Sequence, residues 1–164
     1  MADWTKSLQL AFEYYIVSPA SWRDVRRIDS VKAGSLTRDL GVETLGSATF
    51  DIEEPLGECY IRVYLITIQN GAKDKYPLGT YLIQTPSSKF DGKNKIVSVD
   101  AYTPLLELKE NPPTIGYSVL KDTNIMETAY KITKEQARAP VVAAACTETL
   151  FSDFVANTDD TWMT

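Results

Sequence analysis

Polar and apolar residues alternate with a period of two along much of the first part of the chain, which predicts a succession of β-strands. The clearest alternation runs from Ser7 to Val17, where apolar side chains at every second position share one face of a strand. That face carries Leu8, Leu10, Phe12, Tyr14 and Ile16. Further strands are predicted at 29–33, 47–53, 59–68, 80–84 and 95–101, which gives six strand candidates in total.

Turn signals separate these strands at short intervals. Asn70-Gly71 directly follows the most apolar strand and is a strong hairpin signal. Residues 90–94 are interpreted as a second hairpin connection, and Gly34 predicts a bulge or tight bend. Six strands with little helix between them predict an antiparallel barrel or sandwich. We expect Leu10, Phe12, Phe50, Val63, Leu65 and Val97 to line its interior or to face a helix that covers it.

The pattern changes after the last of these strands. Thr103 is predicted to cap a short leucine-rich helix with Pro104 at its first position. Asn111-Pro112-Pro113 then ends the helix, because proline cannot continue it. We therefore place a domain boundary at Asn111, which divides the chain into 1–111 and 112–164.

The second of these parts predicts a small α/β segment. A short strand is expected at 117–120, and Asn124 with Glu127 resembles a capping box. This box begins an amphipathic helix that reaches about Arg138, and another strand is expected at 141–144. The segment therefore adds a strand, a helix and a strand to a mainly β chain.

The last residues are unusually apolar, including Phe151, Phe154, Val155, Trp162 and Met163. Residues 159–162 have the N-cap and acidic first turn of a helix start. Either this tail packs on a partner, or the polypeptide is the front part of a longer one. We expect the second, so that residues 112–164 are the start of an incomplete domain.

Composition narrows the possible functions. Of the 164 residues, 44% are hydrophobic and 24% are charged, which is typical of globular proteins. The chain contains no histidine, which excludes Ser-His-Asp and Cys-His catalysis and the imidazole ligands of most catalytic zinc sites. A net charge of -5 argues against binding nucleic acid through a broad basic face. The basic cluster from Arg23 to Lys32 is interrupted by Asp24 and Asp29, which favours a solvated face.

Targeting signals are also absent from the sequence pattern. The first residues lack a basic region followed by an apolar one, so no signal peptide is predicted. The longest apolar run, Val141 to Cys146, is too short to cross a bilayer. We expect synthesis in the cytoplasm and no membrane insertion by this chain.

Candidate chemistry is sparse. Cys59 and Cys146 form no CxxC pair and are expected to be buried thiols, with a long-range disulfide possible in an oxidising compartment. The adjacent pair Glu53-Glu54 points to opposite faces of a strand, and the acidic residues around it lack the spacing of a known calcium loop. No nucleotide-binding or hydrolase motif is present. We therefore expect no catalytic, cofactor-binding or metal-binding residues, and no enzyme.

Two strand regions carry a family resemblance. Residues 76–83 are Tyr-Pro-Leu-Gly-Thr-Tyr-Leu-Ile, and residues 95–102 are Lys-Ile-Val-Ser-Val-Asp-Ala-Tyr. In this order, and followed by a short leucine-rich helix, they resemble the N-terminal barrel of phage tail hub proteins. The family pattern has an aspartate where Thr103 stands. Residues 34–39 and 45–52 are similar to two earlier strands of that barrel, and 117–124 resemble the start of the second hub domain, with Asp122 replacing a typical glycine.

The resemblance implies a mainly β fold, with an antiparallel tube-like β-barrel followed by a small α/β segment. It implies a structural virion protein of a bacteriophage or prophage-derived tail, made in the cytoplasm of the bacterial host. Such hubs form a trimer at the tail tip or baseplate, join the tail tube or distal tail protein to tip or fibre proteins, and surround the channel through which DNA passes. An acidic chain suits a lumen that repels phosphate.

The resemblance also marks candidate structural or interface residues, which are Tyr76, Pro77, Leu78, Gly79, Tyr81, Asp100 and Tyr102. Pro77 is expected at the first residue of a strand or at an edge, since it cannot donate a ladder hydrogen bond. Gly79 is expected to allow close approach of a neighbouring backbone, from a paired strand or an adjacent subunit. The alternative function is a monomeric β-barrel module that binds a glycan or a small ligand, which hydrodynamic mass would distinguish from a hub.

Overall fold

The computed structural model describes residues 2–90 and 95–163. Its internal contacts divide the chain into two compact units. The first unit is Met1–Leu40 with Leu45–Thr103, and the second is Gly41–Thr44 with Pro104–Thr164. The helix after Pro104 thus belongs to the second unit, and Asn111 stays a prediction for the boundary between independently folding domains.

Seven strands of the first unit form one antiparallel sheet. Their order is β2-β1-β5-β6-β7-β4-β3. The mainly β fold with a small helical segment is therefore confirmed. The strands are β1 (Gln9–Val17), β2 (Asp24–Ile28), β3 (Val31–Thr37), β4 (Ser47–Ile52), β5 (Tyr60–Gln69), β6 (Ala72–Phe90) and β7 (Lys95–Tyr102).

The sheet does not close into the expected barrel. Among the described strands, β2 and β3 lie at the two ends of the order and share no ladder. Every step between them is antiparallel, so closure would make β2 and β3 parallel neighbours. Only Asp29 and Ser30 join these two strands, and such a link spans about 11 Å at most, so the two ends of the sheet lie close together. The sheet therefore curls round its core, but its ladder stays open because β2 and β3 follow each other along the chain instead of pairing side by side.

The apolar core lies on one face of this sheet, which we call the inner face. Phe50, Val63 and Val97 belong to the core as predicted, and Leu65 is half-buried. Leu10 and Phe12 lie on the same face but are 56% and 51% exposed, so their predicted burial is wrong. They precede the part of β1 that β2 covers, because β2 pairs only with Tyr14–Val17 of β1. The buried core consists of Ile28, Ala48, Phe50, Ile52, Ile61, Val63, Tyr81, Ile83, Val97, Val99 and Ala101.

Several details of the strands differ from the predictions. The strand β2 was predicted only as part of a basic face, because charged residues interrupt its alternation. Gly34 lies inside β3, and the register irregularity falls between Val31 and Ala33 instead. The Asn70-Gly71 turn is confirmed, with φ of 51° and 79°. Phe90 is the last residue of β6, and the predicted connection at 91–94 lies outside the described residues.

The second unit has less regular structure. It contains α1 (Leu106–Glu110), β8 (Ser118–Val119), α2 (Ile125–Gln136) and β9 (Phe154–Val155), with β8 and β9 antiparallel. Asn124 caps α2 as predicted, because its Oδ1 accepts a hydrogen bond from the Glu127 N–H at 2.9 Å. No helix in the described part of the chain is long and apolar enough to span a membrane.

Three predictions for this unit are wrong. The N-cap of α1 is Leu105 without a side-chain hydrogen bond, so Thr103 does not cap it. Residues 141–144 form no strand, and residues 159–162 form turns instead of a helix. These elements were predicted from the local sequence pattern alone. Within the described residues, 141–144 pair with no other strand, and 159–162 do not continue into a helix.

Candidate interaction surface

The segment from Tyr76 to Tyr81 lies in the first half of β6. This half of the strand is an open edge of the sheet. β6 pairs with β5 through residues 72–82 and with β7 from Leu82 onward. The described strands therefore leave the far side of its first half without a ladder partner. Pro77 is not the first residue of a strand. It lies inside β6, opposite Tyr64, where the register shifts by a bulge, a position that suits a residue without an N–H.

The side chains of this segment mostly face the core. Leu78 packs against the core cluster, and its carbonyl accepts a hydrogen bond from the Arg38 guanidinium. Tyr76 is half-buried, with its ring centroid 6.1 Å from that of Trp4. Tyr81 is only 2% exposed. Leu78 and Tyr81 therefore pack in or against the core of the first unit, and Tyr76 packs against Trp4.

The nearest neighbour of Gly79 is a side chain of the same strand, the ring of Tyr81. A Cβ at Gly79 would lie 2.9 Å from Cε2 and Oη of Tyr81. The nearest atoms therefore belong to a buried ring two residues along the same strand, and the approach of a backbone from a paired strand or an adjacent subunit stays a prediction. Glycine is needed here because the Tyr81 ring folds back over this position.

Asp100 and Tyr102 belong to the opposite, outer face. In β7, Asp100 pairs with Thr49 and Gln84, and Tyr102 pairs with Ser47 and Leu82. Asp100 is exposed and Tyr102 is half-buried. The seven candidate residues are therefore split between the two faces and do not form one patch.

A cluster on the outer face was not predicted. Lys75 Nζ lies 4.1 Å from the centre of the Tyr15 ring and 3.8 Å from that of Tyr64. Glu13 Oε2 is 3.4 Å from the same nitrogen, and Glu13 Oε1 is 3.2 Å from Arg27 Nη1. We call Glu13, Tyr15, Arg27, Tyr64 and Lys75 the lysine cluster. The sequence indicated only one part of it: Glu13 and Tyr15 alternate with the apolar residues of β1 and therefore share the opposite face of that strand.

The lysine cluster shifts two pKa values in opposite directions. Burial tends to raise the pKa of Glu13, but the hydrogen bond from Tyr15 and the charges of Arg27 and Lys75 outweigh it, and the pKa is lowered. Burial tends to lower the pKa of Lys75, but its interactions with Tyr15 and Glu13 outweigh it, and the pKa is raised. Both charged forms are thus favoured in the folded chain.

Arg62 connects the neighbouring strands on the same face. Its guanidinium donates to Asp24 Oδ1 at 2.9 Å, Thr80 Oγ1 at 3.0 Å and the Trp22 carbonyl at 3.2 Å. Tyr64 Oη donates to the other oxygen of Asp24 at 2.7 Å. Burial, followed by this hydrogen bond, raises the pKa of Tyr64. The outer face near β2 is therefore a paired network rather than a free basic surface.

The carboxylates near residues 51–58 have polar partners of their own. Asp51 accepts from Ser98 Oγ at 2.5 Å, Glu53 lies 3.1 Å from Lys32 Nζ, and Glu54 lies 3.0 Å from Arg26 Nη1. Within residues 2–90 and 95–163, no three His, Cys, Asp or Glu side chains are grouped so that they could hold a metal ion.

The two cysteines are free and half-buried. Burial raises the pKa of the Cys59 thiol, which opposes formation of a thiolate. The expectation of buried thiols is thus met only in part, and no disulfide joins Cys59 to Cys146.

The first unit also exposes apolar residues where β1 begins. β1 pairs with β5 along its whole length but with β2 only through Tyr14–Val17. We call Gln9–Glu13 the β1 edge. It carries Leu10 and Phe12 on the inner face, both about half exposed. Phe12 lies opposite Leu65, and Leu65 lies opposite Tyr76, so one apolar row crosses three strands beyond the core.

The second unit contains an apolar groove of about 240 Å³. One wall is the face of α2 that carries Ile125, Ala129 and Ile132. Another contains Tyr117 and Trp162, whose rings meet edge to face at 4.8 Å. None of the residues of α2, all of which are described, is buried. The helix is therefore amphipathic, but this unit leaves its apolar face largely uncovered.

Comparison with known proteins gives structural matches only. No family model and no curated protein matches the sequence. The fold is similar to the 43 kDa tail protein of prophage MuSo2 from Shewanella oneidensis, with a TM-score of 0.58 and 12% identity over 93% of this chain and 45% of that one. A tail protein from Neisseria meningitidis MC58 gives 0.46 and 12% over 76% of this chain and 33% of that one. The chain spans less than half the length of either protein, and it shares its fold with the prophage tail protein.

Proposed function

We propose that this chain is a structural protein of a bacteriophage or prophage-derived tail, of the hub type that joins the tail tube to tip proteins. The observation that carries the proposal is the similarity of fold to the prophage tail protein across 93% of the chain. The order of the hub-like motifs, from residues 34–39 to 117–124, supports the same function independently of the fold comparison.

The side-chain chemistry supports a role in assembly rather than in catalysis. The charged residues near β1 and β2 on the outer face are held in pairs and networks, as Glu13 is by Arg27 and Lys75 and as Asp24 is by Arg62. The thiol of Cys59 has a raised pKa, which is the wrong direction for a nucleophile. We therefore propose that the protein acts through its surfaces and is not an enzyme.

The proposed partners are those of a hub at a tail tip or baseplate. Copies of the chain associate laterally, as a trimer in the complete hub. A tail-tube or distal tail protein lies on one side along the tail axis, and tip or fibre proteins lie on the other. DNA passes through the channel only transiently, because a net charge of -5 does not favour retention of phosphate.

A stop codon early in the coding sequence tests this proposal in the phage or prophage that carries it. We expect particles without functional tail tips, restored by supplying the wild-type chain from a plasmid. Mass spectrometry of purified tails should then detect the protein as a structural component. Intact, infectious tails that contain no copy of the chain would refute the proposal.

A different result would favour the alternative function, a monomeric module that binds a glycan or a small ligand. The groove of the second unit is lined mainly by apolar and aromatic side chains, and its polar side chains are three threonines, Thr128, Thr133 and Thr161. It therefore offers few of the charged and amide groups that a glycan site combines with aromatic rings. A strict monomer at high concentration that binds a defined small ligand would favour the module over the hub.

A further inference from the structure

The β1 edge is an open strand edge with an exposed apolar side. Gln9–Glu13 pairs with β5, and the described chain places no strand along its other side. Alternate N–H and C=O groups of this edge therefore point away from the sheet without a ladder partner, as in any edge strand. Gln9, Leu10, Ala11 and Phe12 are all exposed.

The β1 edge differs from the open half of β6 in its protection against pairing. The open half of β6 carries Lys73, Lys75, Pro77 and a bulge, which are the devices that prevent edge-to-edge pairing. The β1 edge carries no lysine and no proline. Its single charge, on Glu13, is already paired with Arg27 and Lys75. An added strand would thus bury no unpaired charge there.

Residues 139–145 form a second unpaired feature, in the other unit. Their sequence, Ala-Pro-Val-Val-Ala-Ala-Ala, has no charge and predicts a strand at 141–144, yet they belong to no helix or strand. Val142 is 96% exposed. Within the described part of the chain, no hydrogen bond is made by residues 139–145.

Both ends of this segment are fixed. The Arg138 N–H donates to Glu107 Oε2 at 2.8 Å, and Asn124 Nδ2 donates to the Cys146 carbonyl at 2.7 Å. A segment held at both ends loses less conformational entropy on binding than a free chain does. We call residues 141–145 the donor segment.

We propose that the donor segment of one copy adds as a strand to the β1 edge of a second copy. This inference rests on the self-association in the proposed function and names the surfaces that carry it. Each element has five residues, and neither brings an unpaired charge to the other. Main-chain hydrogen bonds would supply affinity, and the small side chains of the donor segment fit beside the large Leu10 and Phe12. Within one folded chain the two elements are unpaired, which favours a second copy as the partner.

The proposed contact joins two different surfaces, so it is heterologous. Repeating such a contact closes a ring when the rotation between copies permits it, and three copies would satisfy the trimer of the proposed hub. A contact of β1 with β1 would be isologous and would make only a pair. This difference makes the proposal testable by mixing variants.

Three variants of the full chain test the proposal by sedimentation. Phe12→Asp places a charge on the edge, Val142→Asp places one on the donor segment, and Ile115→Asp is a control at a residue that is 90% exposed elsewhere. We expect the wild-type chain and the control to associate with rising concentration, and association of the first two variants to be at least tenfold weaker. A mixture of Phe12→Asp and Val142→Asp retains one intact edge and one intact donor segment. It should therefore form pairs but nothing larger.

Hydrogen exchange of the wild-type chain gives a second measurement that needs no variant. Amides in 9–13 and 141–145 should gain protection together as the concentration rises. A wild-type chain that stays monomeric, unchanged association of either variant, or a mixture that does not pair would overturn the proposal. If strand addition fails while the stop-codon phage still lacks tail tips, only this inference is lost and the proposed tail function stands.

Discussion

The ammonium group of Lys75 lies 3.8 Å from the centre of the Tyr64 ring, and these residues belong to adjacent strands, β6 and β5. Glu13 of β1 completes the contact at 3.4 Å from the ammonium nitrogen. The lysine cluster therefore connects β1, β5 and β6, the strands that extend past the core at the β1 edge, and its Arg27 adds β2. It stabilises on the outer face a part of the sheet whose inner face is exposed.

Replacing Glu13 tests the contribution of the lysine cluster to stability. Its pKa is lowered below the ordinary value of 4.5 on folding, so its stabilisation is present above that value and is lost as the pH falls through the folded-state pKa. We expect Glu13→Gln to lower the free energy of unfolding at neutral pH by about 1 kcal/mol. Chemical denaturation at a series of pH values should show a shallower loss of stability in acid than the wild type. Glu135→Gln on α2 is the control, and an equally steep acid limb in Glu13→Gln would contradict the assignment.

Phe12 and Phe50 should differ sharply in their effect on stability, although both were expected in the core. Phe50→Ala should cost about 3–5 kcal/mol, because it empties a fully enclosed site. Phe12 is about half exposed, and Phe12→Ala should cost about 1 kcal/mol or less in the monomer. Urea denaturation at low protein concentration measures both. Similar losses for the two variants would mean that the inner face is covered at β1.

These two phenylalanines show what sequence pattern can and cannot predict. The period-two alternation correctly assigned Leu10, Phe12 and Tyr14 to the same face as the core. It could not predict that β2 pairs with only the last part of β1, because the extent of pairing depends on the Asp29-Ser30 connection and on strands distant in sequence. Face is a local property, whereas burial is decided by neighbouring strands.

Gly79→Val should destabilise the first unit by about 1–3 kcal/mol, because its Cβ would collide with the buried Tyr81 ring. Gly57→Val is the matched control, since nothing lies within 4 Å of a Cβ built at Gly57. Thermal unfolding measures both variants. If Tyr81→Leu does not relieve part of the loss in a double-mutant cycle, the ring is not the cause.

Asn124 performs two roles in the second unit, and two substitutions separate them. Asn124→Ala removes both the N-cap of α2 and the hydrogen bond to the Cys146 carbonyl, and should cost about 1–2 kcal/mol. Asn124→Asp keeps the cap acceptor but removes the donor, so it should retain helicity by circular dichroism while the amides next to Cys146 exchange faster. Equal loss of helicity in both variants would show that the cap is not what starts α2.

The candidate site was less predictable than the fold. Asn124 was identified because a capping box is local, with both partners three residues apart. The lysine cluster was missed because Glu13, Tyr64 and Lys75 converge only after β1 and β6 pair with β5. The contact of Gly79 with the Tyr81 ring could be known only from the side-chain packing, because sequence pattern does not show that this ring folds back along its own strand.

The Asn70-Gly71 turn has a consequence for how the first unit folds. Both residues have positive φ, which matches a tight hairpin turn, and they join β5 to β6 with the shortest possible loop. β1 must find β5 across the whole of β2, β3 and β4, at a far larger cost in loop-closure entropy. The β5–β6 hairpin should therefore form early and act as the template on which the N-terminal strand docks late. Gly71→Val would then slow refolding more than it speeds unfolding, and the β1 edge would be the last part of the sheet to appear on the assembling chain.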